Sequence, residues 1–191
     1  MITVRQLERL WTAKAYNKLI EHLMLMRPED SPRLRALLAH PLPVAAMAVI
    51  RLDELNQAHT DLARQFLRFI LTRQHPDGSF GDPMVSALCL RALMCGNGAG
   101  LAIESGLRHL ASLQRDDGLW PAIPLRRLPG DCFVSAFVLF HLAASPRFNQ
   151  LANLDQTMTW FDLHRPTLDP DTARLSRAAS LRSLLINRIA V

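Results

Sequence analysis

Residues 74–87 read QHPDGSFGDPMVSA. Residues 114–120 read QRDDGLW, and residues 130–136 read GDCFVSA. One short chain therefore spells Gln-x-x-Asp-Gly-x-aromatic twice and Gly-Asp-x-x-Val-Ser-Ala twice. Gln74 and Gln114 are 40 residues apart, whereas Val85 and Val134 are 49 apart. The difference is nine residues, the length of the stretch 121–129, PAIPLRRLP. The sequence thus predicts a tandem unit of about 40 residues with one insertion, the period of helix-pair repeat arrays.

The second half of the unit occurs a third time. VAAMAVIRL from Val44, VSALCLRAL from Val85 and VSAFVLFHL from Val134 share Val, Ala and Leu at their first, third and ninth places. Around these copies the apolar spacing is helical throughout, and no strand alternation occurs. Helices are expected over residues 3–26, from Ser31-Pro32, over 44–55 and 60–72, and from Asp82-Pro83 to about Met94. Others are expected over 101–114, from Asp131 to about Ala144, from Ser145-Pro146, and from Asp169-Pro170. Thr3 with Gln6 reads as a capping box, and Ser-Pro and Asp-Pro pairs mark cap and first turn. The helices opening near Val44, Pro83 and Cys132 are rich in small and apolar residues and are assigned to an inner layer. Those between carry Arg64, Arg68, Arg73, Glu104, Arg108 and Arg115 and are assigned to an outer layer.

The repeated motif has a mechanical reading. Asp77-Gly78 and Asp117-Gly118 supply a tight reversal in which glycine takes positive φ. Phe80 and Trp120 pack back over the helix end. The amides of Gln74 and Gln114 reach backbone groups left open at helix termini. Asp82 and Asp131 cap the following inner helix. Structure alone accounts for all of these residues.

Gln-x-x-Asp-Gly-x-Trp between an outer helix and an Ala/Leu-rich inner helix resembles the QW-type repeat of the terpenoid cyclase and protein prenyltransferase superfamily. The resemblance covers about residues 60–144, with Phe80 standing where the pattern has Trp. It implies a single α/α toroid over residues 1–191, all-α, incomplete or compact, with about eight or nine helices. The class II cyclase acid motif is Asp-x-Asp-Asp-Thr-Ala, against which this chain offers Asp169-Pro170-Asp171-Thr172-Ala173. Aligned from the left, Asp171 matches the acid. Aligned from the right, Pro170 falls there and the catalyst is lost. Asp169 and Asp171 are the catalytic candidates, and Pro170 also reads as a first helical residue after an Asp cap. The prenyltransferase zinc needs Asp-x-Cys and a distant His. Here Asp131 and Cys132 are adjacent, and His141 lies about 15 Å along the same helix, too far for ligands at about 2.0–2.3 Å. No metal and no cofactor are expected, and His141 reads as a core histidine.

Composition bounds the function. The chain has 191 residues, 49% apolar, 20% charged and only 6% aromatic, with a formal net charge of +5. Few aromatics leave little π surface for carbocation chemistry. The candidate inner surface offers Trp120, Phe133, Phe137 and Phe140. Arginines are spread along the chain, so nucleic acid is not an expected partner. The run from Thr172 to the end, with Arg174, Arg177, Arg182 and Arg188 and no acid, reads as a solvated helix face with cations suited to its C-terminal dipole. Three unpatterned cysteines and a charged, amphipathic start suggest a cytoplasmic protein without a membrane span. Arg126 and Arg127, central in the proline-stiffened insertion, are the candidates for gripping a carboxylate, diphosphate or partner. The expected function is a non-catalytic binding or scaffold module for a protein partner, a second copy or an apolar ligand. The alternative is a small isoprenoid-processing enzyme, cyclase-like or prenyltransferase-like, with a prenyl substrate in its central cavity.

Overall fold

The computed structural model describes residues 31–96 and 98–189; the helix expected over residues 3–26 lies outside them. The described residues form α-helices joined by turns, one short 3-10 segment and a single isolated β-bridge. In chain order the helices are α1 (Pro32–Leu37), α2 (Pro41–Glu54), α3 (Asp61–Leu71), α4 (Pro83–Cys95) and α5 (Gly100–Ser112). They continue with α6 (Cys132–Leu142), α7 (Pro146–Leu151), α8 (Leu154–His164) and α9 (Pro170–Ile189).

The cap chemistry read from the sequence is in place. Ser31, Thr60, Asp82, Asp131 and Ser145 each accept a hydrogen bond from the backbone three residues on. Asn56 closes α2 in the left-handed region at φ 58°, with Gln57 N–H donating to Leu52 O, the Schellman arrangement. The helix opens at Ser145-Pro146 as expected and ends at Leu151, and Asn153 caps a separate α8, not foreseen from the sequence, through Gln156 N–H.

α2 packs along α4, α4 along α6, and α6 along α9. This row is the inner layer. α3 lies on α2 and α4, α5 lies on α4, and α7 lies on α5. Burial follows the layers. α4 and α6 are covered on nearly all sides, including Leu88, Leu90, Leu93, Val138, Leu139 and Leu142. Each such aliphatic side chain contributes about 1.5–3 kcal/mol by leaving water. α3 buries only Ala63 and Ile70 and gives its remaining faces to solvent or partial cover. No helix among the described residues is long and apolar enough to cross a membrane.

α1 adds a contact the repeat does not foretell. Arg33 Nη1 donates to both carboxylate oxygens of Asp131, at 2.7 and 2.9 Å, and its guanidinium lies 5.1 Å from the Phe133 ring centre. The first described helix is thereby pinned to the start of the third inner one.

Candidate functional site

The two corners are built alike, bond for bond. His75 N–H donates to Ser79 O and Gly78 N–H to His75 O; Arg115 N–H donates to Leu119 O and Gly118 N–H to Arg115 O. Asp77 and Asp117 accept the amides of Ser79 and Leu119. Gly78 and Gly118 have φ +89° and +84°. A Cβ on Gly78 would stand 2.5 Å from Ser105 Oγ, and one on Gly118 would stand 3.1 Å from Gln156 Cγ. Backbone conformation and close approach therefore both require glycine here.

The glutamines do more than close their own turns. Gln74 Nε2 donates to Gly78 O at 2.9 Å and to Ala102 O of α5 at 2.8 Å. Gln114 Nε2 bonds Gly118 O at 3.1 Å, Asn153 O at 2.9 Å and Thr157 Oγ1 at 2.9 Å, while its Oε1 accepts Asn153 N–H at 2.8 Å. Each clasp thus fastens one outer helix to the first turn of the next. Phe80 and Trp120 are buried, and Trp120 Nε1 donates to Leu110 O at 2.8 Å. Their backbone amides donate to Ser86 Oγ and Ser135 Oγ, at 3.1 and 2.8 Å. Sequence reasoning assigned no duty to these serines, although the doubled Val-Ser-Ala was the signal for one.

The insertion 121–129 leaves the second corner between these fixtures. Its base is pinched by the Pro121–Gly130 bridge and by Asp131 N–H donating to Trp120 O at 2.8 Å. Arg126 Nε donates to Gln114 O at 2.8 Å, and its Nη2 pairs with Asp116 at 2.6 Å. Arg115 returns from the corner to Arg126 O at 3.1 Å and to Leu128 O. The loop is thus sewn down from both sides. Ile123, Leu125 and Arg127 remain exposed on it. Of the two candidate arginines, Arg126 is committed to this stitching and Arg127 faces solvent.

The aromatic candidates fall into two places. Phe133, Phe137 and Phe140 follow one stripe of α6, with Arg33 over Phe133 and Arg182 5.1 Å from the Phe140 ring centre. Trp120 sits apart from this stripe, against Leu110 and 6.0 Å from Phe148. His141 is a core histidine, tilted against the Phe137 ring and edge-to-face with Phe140. Burial first, and the charges of Arg182, Arg91 and Arg51 second, push its pKa well below the usual histidine value. Arg182 is itself 1% exposed and donates to Phe140 O, so the last helix is not the evenly solvated cationic face expected.

Asp169 caps α9, accepting the amides of Asp171 and Thr172 and the Thr172 hydroxyl. Burial acts to raise its pKa, but these hydrogen bonds outweigh it and hold the group below the ordinary carboxylate value. A proton donor would need the opposite bias. Half-open clefts of about 460, 370 and 310 Å³ lie elsewhere, and neither Asp169, Asp171 nor the α6 phenylalanines line them. Among the described residues, no three His, Cys, Asp or Glu side chains are grouped to hold a metal ion.

No family model, curated protein or solved structure matches the chain.

Proposed function

We propose that this protein is a non-catalytic helical-repeat module, an incomplete α/α toroid of the cyclase and prenyltransferase type, that docks a protein partner through the loop 121–129. The carrying observation is the loop's construction. A nine-residue excursion that only bridged two helices would not need a pinched base and two arginines bonded across it. Holding a loop in one shape lowers the entropy lost on binding. Ile123, Leu125 and Arg127 then form an apolar contact with a cation beside it, suited to a partner surface with an apolar pocket and a neighbouring acid.

The competing reading, a small isoprenoid-processing enzyme, draws on the α6 phenylalanine stripe beneath two arginines. The experiment separates the two. Full-length protein and a variant lacking residues 121–129 are compared by quantitative cross-linking in their native cells and by sedimentation velocity. Calorimetry with geranylgeranyl diphosphate runs alongside. The scaffold reading expects a defined partner, or self-association, that is lost with the loop and with Arg127→Glu, and no heat from the diphosphate. Loop-independent recovery of every partner, with saturable diphosphate binding, would replace it by the enzyme reading.

A further inference from the structure

The first corner carries residues that its fold does not require. The second corner is built on the same bonds, yet at the places matching Phe69, Arg73 and His75 it has His109, Leu113 and Arg115. Leu113 is buried, and Arg115 is tied to Asp117 and to the loop carbonyls. At the first corner no insertion follows Phe80, and a cleft of about 310 Å³ stands open beside it. That volume is at the small end of ligand pockets, about 300–1,000 Å³.

Leu42, Phe69 and Phe80 give the cleft an apolar floor, and Arg73, His40 and His75 stand at its rim. No acid lines it. The Arg73 guanidinium lies 5.1 Å from the Phe69 ring centre and has no hydrogen bond or ion pair among the described residues. Stacked in this way, a guanidinium keeps its N–H edge for a planar acceptor. His75 Nδ1 is held by Ser79 Oγ at 3.0 Å, which orients the ring and leaves Nε2 for a ligand. One permanent cation over an apolar floor matches one negative charge on an apolar body.

We propose that this cleft binds a small apolar monocarboxylate. The carboxylate sits on the Arg73 fork with His75 beside it, and the apolar body rests on Leu42, Phe69 and Phe80. This site is separate from the loop assigned to the protein partner.

The test is an amide NMR titration of the full chain with 4-phenylbutyrate, with its neutral analogue 4-phenylbutanamide, and with inorganic phosphate. The expected result is saturable shifts for the carboxylate centred on Leu42, Phe69 and Phe80. The amide and phosphate should each bind at least about tenfold more weakly, since each lacks one half of the match. Arg73→Gln, at an exposed position, should weaken the carboxylate at least about fivefold with an unchanged melting temperature. Phe69→Ala should weaken it as well. Equal binding of the neutral analogue, shifts centred elsewhere, no saturation, or full affinity in Arg73→Gln would each overturn the proposal.

Discussion

Gln114 is the residue on which most of the second corner depends. Its amide satisfies backbone groups of its own turn and of the cap of α8 at once. Gln114→Ala leaves Asn153 N–H without its partner, at about 1–3 kcal/mol before relaxation or water entry, and takes one bond each from Gly118 O and Asn153 O, which keep Thr157. The expected net loss is about 2–4 kcal/mol in urea unfolding, larger than for Gln74→Ala, whose amide makes two bonds. The glycines divide in the same way. Gly81 has φ +100° but open space where a Cβ would go, whereas Gly78 has positive φ and Ser105 in the way. Gly78→Ala should therefore cost clearly more than Gly81→Ala, by about 1 kcal/mol or more. Trp120→Phe, which mimics Phe80, should be tolerated at about 1–2 kcal/mol through loss of the Leu110 bond. Trp120→Ala should cost about 3–5 kcal/mol. Differential scanning calorimetry on the two substitutions decides this.

At the scale of elements, the loop 121–129 is an addition to a corner that works without it. The first corner passes directly from Phe80 to Gly81, with Gly81 in the positive-φ region. Joining Trp120 to Gly130 asks only that Gly130 adopt that same conformation, which glycine allows. Deletion of residues 121–129 should therefore leave the helical circular dichroism intact and change stability by no more than about 1–2 kcal/mol. A collapse of helicity would show that the corner needs its insertion. The helices themselves were largely legible because their determinants are local. Ser31, Thr60, Asp82, Asp131 and Ser145 cap within three residues, and the glycines answer a demand for φ. The break between α7 and α8 was missed, although Asn153 with Gln156 carries the signature of a cap. The apolar spacing of Phe148, Leu151 and Leu154 passes over it without a fault. That the amides of Gln74 and Gln114 reach helix termini was legible; that those termini belong to other helices, at Ala102 and Asn153, was not. It depends on how neighbouring outer helices sit against each other, which no local pattern encodes. The same holds for Arg33 and Asp131, 98 residues apart.

Across the whole molecule, two titrations should separate on the pH axis. His141 is held neutral by burial and by Arg182, Arg91 and Arg51. Below about pH 6.5 the unfolded chain takes up a proton there that the folded chain refuses. Stability then falls with acidity by up to about 1.4 kcal/mol per pH unit, and His141→Leu should flatten that limb. Glu104 behaves in the opposite sense. Arg147 across the α5–α7 contact, together with Arg108, holds its pKa down to about 2, so its contribution is complete above the usual glutamate range and is lost as pH falls toward 2. Thermal melts of wild type and Glu104→Gln should differ by a steady amount from pH 7 down to about 4.5 and converge as pH falls from there toward 2. The candidate sites were less legible than the fold. The doubled motif pointed to residues that prove to be fasteners, whereas Arg73 and Phe69 stood outside any motif. Only the comparison of one corner with the other sets them apart.

The account rests on outer helices being fastened to each other by the glutamine clasp. A double-mutant cycle of Gln114→Ala and Thr157→Val in urea unfolding measures this fastening across the repeat boundary. The account predicts a coupling of about 1 kcal/mol or more. Additive losses, agreeing within about 0.3–0.5 kcal/mol, would contradict it.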